Sequence, residues 1–384
     1  MKKRPALLAI LLLALLARTG GADQVKVIPQ VSIREEYNDN ISFAKDAQDD
    51  FITTASAGID LSDVTELLAA DLSLRFDGLS YADHDELNDI EQYYKGGLKY
   101  QLSQFLKLGA EARYSEDSRP DRDIDITGYV FTADVRRQQN YLLSADYQAT
   151  EKLALFTSYS YQDDQFEIVD RDEFTGQNVV VGLSKRLDFI KPTAARLYGR
   201  YSHYDFYSSK AENYSVTAGF SREVTEKLSY VLDVGPRYTE GSEKRTSDTS
   251  NDSGAGGQFT LTYKEELTAA EMNLFHEVSG SGGRDGATER TGLRLSLRHR
   301  LGDRSDVRLN IDSFLNTADR SAAFVSDLDE LTTTIYPSLH YELLPNLSCE
   351  AAYRYTLIDD REGDDDRHRS LVFAKLTYKH PILE

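Results

Sequence analysis

Leu67-Leu68-Ala69-Ala70-Asp71-Leu72-Ser73-Leu74-Arg75-Phe76-Asp77 is the stretch that decides the fold. Leu68, Ala70, Leu72, Leu74 and Phe76 alternate with Asp71, Ser73, Arg75 and Asp77. A backbone of period two therefore sends the apolar side chains to one face and the polar ones to the other, whereas a helix would scatter them around its circumference. The stretch predicts a strand with one face in a nonpolar medium and one in water.

The same pattern returns along the chain. Tyr214, Val216, Ala218 and Phe220 oppose Ser215, Thr217, Gly219 and Ser221. Thr291, Leu293, Leu295, Leu297 and Leu301 oppose Arg294, Ser296, Arg298 and Arg300, and Val307, Leu309, Ile311 and Leu315 oppose Arg308, Asn310 and Asp312. Between such segments the connections alternate in length. Short turns fall near 62–65, 103–104, 149–152, 188–191, 224–227, 267–269, 302–304 and 344–346, and longer polar stretches at 38–50, 79–90, 116–136, 163–174, 204–212, 239–256, 280–289, 317–330 and 358–369.

Short turns at one end and long loops at the other are the mark of an outer-membrane barrel, with the turns in the periplasm. The expected fold is all-β, a transmembrane antiparallel up-and-down β-barrel of about eighteen strands, forming one domain over 23–384. Sixteen strands result if residues 117–148, which hold more alternation than one strand needs, form a hairpin above the membrane. Pro236 and Pro337 lie inside strand patterns and remove ladder donors, which predicts bulges there.

Lys2, Lys3 and Arg4, the apolar run Ala6 to Ala17, and the small residues Gly20-Gly21-Ala22 read as a signal peptide over 1–22. Its apolar run falls short of the roughly 20 residues that cross a bilayer as a helix. A mean hydropathy of -0.50 would suit a soluble secreted protein. The 24 Tyr and 16 Phe, with no Trp, argue instead for interfacial girdles, and Tyr37, Tyr81, Tyr114, Tyr161, Tyr201 and Tyr238 fall near strand ends.

The formal charge of -20 disfavours nucleic acid as a partner, because phosphate binding needs clustered Lys and Arg, and it excludes simple docking on anionic lipid. The one cysteine, Cys349, cannot form an intramolecular disulfide and reads as a small hydrophobe on an apolar face. Outer-membrane lipid and lipopolysaccharide are the partners a barrel requires.

The polar faces carry the candidate site: Arg75, Lys95, Lys99, Arg113, Arg196, Arg200, Arg294, Arg298 and Arg354, with Lys107 beside them. They interleave with Asp71, Glu111, Asp146, Asp233, Asp312 and Glu350. One reading is a cationic ladder lining a lumen and tuning the passage of anions or acidic sugars; the other is a set of cross-strand ion pairs filling the barrel. Tyr198, Tyr336 and Phe156 on the same faces could stack on sugar rings.

The outer stretches concentrate acid, notably Asp83, Asp85, Glu86 and Asp89, then Asp163, Asp164, Asp170, Asp172 and Glu173, and finally Asp359 to Asp366. Such runs are usually solvated loops, although their carboxylates could bridge lipopolysaccharide through divalent cations. Asp364-Asp365-Asp366 lacks the spaced ligands of a calcium loop, so no metal is assigned. Ser202-His203 is the nearest nucleophile and base, but adjacent strand residues face opposite ways. No G-x-S-x-G, H-E-x-x-H or phosphate loop occurs, and neither a catalytic residue nor a cofactor is assigned.

At Ile33-Arg34-Glu35-Glu36-Tyr37-Asn38-Asp39-Asn40-Ile41, followed by Asp50-Phe51-Ile52-Thr53-Thr54, the chain resembles the outer-membrane β-barrel family often encoded beside exopolysaccharide biosynthesis genes. Gly109 to Ser118, running out into Arg119-Pro120, is similar as well. The resemblance covers the first third and carries no catalytic residue. It implies a conduit or accessory for exopolysaccharide export, with the export machinery as partner. A general diffusion porin and a barrel-embedded hydrolase are the competing readings. The ending His380-Pro381-Ile382-Leu383-Glu384 departs from the terminal aromatic common in such barrels.

Overall fold

The structure is a computed structural model. It describes residues 24–383 except 120, 121, 123, 129–134, 168–172, 190, 281–284, 320–327 and 364–365. The expected signal peptide and cleavage site lie outside the described residues, as do Asp170, Asp172, Asp364 and Asp365 of the acidic loops.

Alternating apolar and polar residues, punctuated by turn formers, give eighteen strands. They are β1 (Gln24–Asn38), β2 (Asp50–Val64), β3 (Leu68–Tyr81), β4 (Asp89–Ser103), β5 (Leu106–Asp117) and β6 (Arg136–Gln148). Next come β7 (Leu153–Phe166), β8 (Phe174–Leu187), β9 (Thr193–Phe206), β10 (Ser209–Glu223), β11 (Leu228–Glu243) and β12 (Thr249–Lys264). The last six are β13 (Thr268–Ser279), β14 (Thr288–Arg300), β15 (Ser305–Ala318), β16 (Asp329–Leu344), β17 (Leu347–Asp360) and β18 (Arg367–Lys379).

Every strand pairs antiparallel with its sequence neighbours, and β1 pairs with β18 from Gln30 opposite Lys379 to Asn38 opposite Leu371. The sheet is therefore closed, and its backbone groups are paired around the ring, which is what hydrocarbon demands of a β structure. The chain folds as an eighteen-stranded barrel.

Its polarity is inverted relative to a soluble protein. Phe51, Ile90, Val181 and Val216 each leave more than half of their surface uncovered on the outside. Arg369, Glu36, Asn38 and Asn316 are among the most deeply buried side chains. An apolar exterior of this extent is stable only against lipid.

Rings bound the apolar zone. Toward the long loops Tyr94 stacks on Tyr114 at 5.7 Å, Tyr141 on Tyr161 at 6.3 Å, and Tyr201 lies 5.1 Å from Tyr214. Their hydroxyls donate away from the apolar zone: Tyr94 to Gln92, Tyr114 to Glu116, Tyr141 to Gln139 and Tyr214 to Glu212, all within 2.9 Å. Toward the turns, Phe220, Tyr230 and Phe259 form a second row. These amphipathic rings mark the two membrane interfaces. Cys349 shares the outward face, opposite Leu376 and Tyr341.

Four expectations need correction. Tyr81 does not join the girdle; it points inward and is buried with Ile41, Ile52 and Leu79. Polar 204–212 and 239–256 are not long loops, because β9 to β12 run on through them and leave only 207–208 and 244–248 as connections. Strands that rise above the membrane are wetted on both faces and lose the apolar alternation that marks them in sequence. Among the described residues of 117–148 the elements are the end of β5, a helical turn at Ile124–Thr127 and β6, with no further strand.

The prolines, finally, make no bulge. Pro236 pairs with Ala255 and Pro337 with Leu309 on one side, while on the other side two ladder positions are left open without a change of register. The register shifts fall instead at Gln101/Ser103 and Glu342/Leu344, beside short turns.

Candidate functional site: a strapped lumen

The register that turns Leu68, Leu72 and Phe76 outward turns Asp71, Ser73, Arg75 and Asp77 inward, and each neighbouring strand inherits that parity through its pairing. Arg75 lies opposite Tyr93, Lys95 opposite Arg113, and Lys99 opposite Gly109. Arg196 and Arg200 face Gly219 and Ser215, Arg294 faces Asp312, Arg298 faces Arg308, and Arg354 faces Leu371. All nine thus share the inner face of the wall, together with Tyr198, Tyr336 and Phe156. Ser202 and His203 point to opposite faces of β9, with His203 Nδ1 3.6 Å from Glu212.

Several of these cations are held by acids. Arg196 donates through Nε to Asp233 at 2.7 Å and through a second nitrogen to the same carboxylate. Gly219 makes this pair fit, since a Cβ there would strike both partners. Arg298 and Arg308 share Asp306 at 3.0 and 2.6 Å. Some pack over rings as well: Arg75 over Tyr93 at 4.3 Å, Arg354 over Tyr336 at 4.9 Å, and Arg294 over Phe275 at 4.6 Å.

The lumen is not an open tube. Described residues of the connection between β5 and β6 reach across it to the opposite wall. Its helical turn Ile124–Thr127 brings the Thr127 carbonyl to Asn316, whose side-chain amide donates at 3.0 Å, and to Arg290, which donates at 3.4 Å. Ile124 is buried against Phe43 and Ile358. Gly128 sits at φ +69 in van der Waals contact with the inner face of β15 and β16. Near its root, Arg119 pairs with Glu36 at 3.2 Å and Arg122 with Asp117 at 2.9 Å. Strands β5 and β15 stand on opposite sides of the ring, so this segment is a strap across the lumen.

A second connection leans inward. Between β13 and β14, Ala287 packs with Phe174, Tyr204, Phe206 and Ala211, and Asp285 accepts from Ser208 and Ser209 of the β9–β10 corner. Where it leaves the wall, β13 parts from β12 above Gly257 opposite His276. Arg237 ties that region together, pairing with Asp252 at 3.0 Å, Glu289 at 3.3 Å and Asp319 at 3.0 Å. The three carboxylates lie within 4.8 Å of one another, a spacing that suits a cation, and the Arg237 guanidinium meets all three.

The strap leaves space on both sides. One cavity, about 560 Å3, is lined by Arg119 and Arg122 of the strap and by basic groups of β1, β3 to β6 and β17. The other, about 610 Å3, is lined by Thr127 and by the amides of Gln138, Asn140, Gln162 and Asn178. A further cavity of about 610 Å3 opens toward the short turns past Lys95, Lys99 and Lys107.

Alternation could not announce the strap, whose partners lie far away in sequence. The signal available was the apolar content of this outer connection, Ile124, Ile126, Val130 and Phe131 around Gly128.

No family model matches the chain, and no curated protein does. Among solved structures, the siderophore receptor PirA from Acinetobacter baumannii is similar at 8% identity and TM-score 0.46, over 92% of this chain and 80% of that one. The outer membrane protein OpdK from Pseudomonas aeruginosa is similar at 10% identity and TM-score 0.45, over 92% and 99%. OccK9 (OpdG) from Pseudomonas aeruginosa gives 10%, 0.45, 93% and 98%. This chain is an outer-membrane β-barrel. Its closed wall, its apolar exterior and its paired girdles say so by themselves.

Proposed function

We propose that the barrel serves exopolysaccharide export, as a conduit through the outer membrane or an accessory to one. The observation that carries this reading is the space on either side of the strap: cavities of about 560 and 610 Å3, walled by charged and amide side chains. Each lies within the roughly 300–1,000 Å3 typical of pockets for small organic ligands, so a polymer unit fits beside the strap. The resemblance at Tyr37 to Ile41 supports the cargo class. The export machinery would dock at the short-turn end, and the barrel itself would perform no bond chemistry. Deleting the gene in the producing strain should abolish or sharply reduce secreted polymer; normal secretion would overturn the proposal.

A second reading, a diffusion porin for small solutes, is favoured by one feature, the attachment of the strap to the far wall at Thr127 and Asn316. Planar-bilayer recordings separate the two. A pore that passes monosaccharides and is untouched by long polymer supports the porin. Nothing about Ser202 and His203, on opposite faces, favours a hydrolase.

A further inference from the structure

The strap does more than narrow the lumen; it sorts the charge. Eight basic side chains line the smaller compartment, among them Arg34, Arg75, Lys95, Arg113 and Arg354, while Asp117 is its one acidic lining residue. Glu36, Asp77 and Glu111 pair with members of the set from the surrounding wall, and the basic groups still outnumber the acids. In the other cavity the charges balance, Glu111, Asp164 and Glu277 against Arg113, Arg290 and Arg294.

Three of the guanidiniums are held in a particular way. Arg34 lies over Phe373 at 3.9 Å, Arg354 over Tyr336 at 4.9 Å, and Arg75 over Tyr93 at 4.3 Å. Tyr336 and Phe373 are themselves stacked at 6.4 Å. A guanidinium packed over a ring has given up rotamer freedom in advance, and its planar fork suits two-point capture of a carboxylate or phosphate.

We propose that this compartment is a saturable binding site for a carboxylate-bearing sugar chain, with Arg75 and Arg354 as the principal carboxylate contacts and Lys95 and Arg113 drawing the anion toward the short turns. The site deepens the export reading and rests on it for the carbohydrate part of the ligand. The charge-balanced side does not select for acid.

The test is current block in planar bilayers by the refolded full barrel, with oligogalacturonate as the acidic probe and a malto-oligosaccharide of equal length as the neutral one. The expected result is saturable block by the acidic probe at concentrations at least tenfold below the neutral one, weakening with salt. Arg75→Gln with Arg354→Gln should weaken that block tenfold or more, and Arg354→Lys should fail to restore it, because an ammonium lacks the planar fork. Equal block by both probes, or unchanged block in the double variant, overturns the site. Should the double variant not fold, the single Arg354→Lys and the salt dependence in the natural barrel still decide. Acidic block together with normal secretion in the deletion strain supports this site and overturns export; lost secretion without acidic block does the reverse.

Discussion

Asn316 donates its side-chain amide to the carbonyl of Thr127 at 3.0 Å, across 189 residues of sequence and from one wall of the barrel to a segment rooted in the other. Arg290 reinforces the contact and also donates Nε to Asn316 at 2.8 Å. Both donors are buried, so the latch works away from bulk water, where an unmade hydrogen bond is costly.

Asn316→Leu should release the strap. It removes the shorter of the two hydrogen bonds to the Thr127 carbonyl and the acceptor of Arg290 Nε, a loss of about 1–3 kcal/mol for a buried group. Single-channel conductance should rise and become noisier while the barrel remains heat-modifiable on gels. Unchanged conductance would mean the strap does not limit flow.

Gly128→Ala should produce the same phenotype by another route. At φ +69 a side chain is strained by about 1–2 kcal/mol. Its Cβ would also lie 2.4 Å from Thr332 Oγ1 and 2.9 Å from Asn316 Nδ2. Because both changes act on one latch, the double variant should show less than the sum of the two stability losses, measured by urea unfolding in detergent.

Arg237→Ala should cost about 3–5 kcal/mol, since it leaves the buried Asp319 facing the half-buried Asp252 and Glu289 without the guanidinium between them. Asp252, Glu289 and Asp319 would then offer oxygen ligands within 4.8 Å, and millimolar calcium should recover part of the lost melting temperature. Calcium that stabilises the natural barrel equally would show that the trio is not where it acts.

The loop after β3 should loosen as pH rises. Asp50 accepts the backbone N–H groups of Ala82, Asp83 and His84 and binds His84 Nδ1 at 2.9 Å. That side-chain hydrogen bond holds the His84 imidazole above its ordinary value, against the opposing effect of desolvation. A raised folded pKa means the added stability is full below the unfolded value of about 6.5 and is lost as pH climbs through the higher folded value. Protease cleavage within 82–88 should therefore increase from about pH 6 to pH 8. His84→Gln should flatten that dependence.

Cys349 should report the bilayer. It lies on the outward face between Tyr341 and Leu376, so in liposomes an apolar maleimide should label it while a charged one fails. Rapid labelling by the charged reagent would place this part of β17 in water.

The wall was legible because a strand in lipid has to alternate: Leu68 to Phe76 and Leu293 to Leu297 can take only one register without putting Asp71 or Arg294 into hydrocarbon. The same constraint turns Arg75, Lys95 and Arg354 inward. It lapses above the membrane, where Glu212, Glu240 and Asn251 continue strands that look like loops in sequence. It is silent about Thr127 and Asn316, whose meeting depends on the width of the ring. Nor does it tell which inward cations meet an acid, as Arg196 does at Asp233, and which lie on a ring, as Arg354 does at Tyr336.

The joint between β1 and β18, from Gln30 opposite Lys379 to Asn38 opposite Leu371, sets the order of assembly. Each hairpin added to a growing sheet leaves a fresh row of unpaired amides and carbonyls at its margin, and that margin disappears only when the last strand meets the first. The closing contacts are also among the most distant in sequence, so they form late and slowly. Until then the sheet is a surface ready to accept any extended chain, and a cell that builds this barrel needs something to occupy its open margin while the final strand arrives.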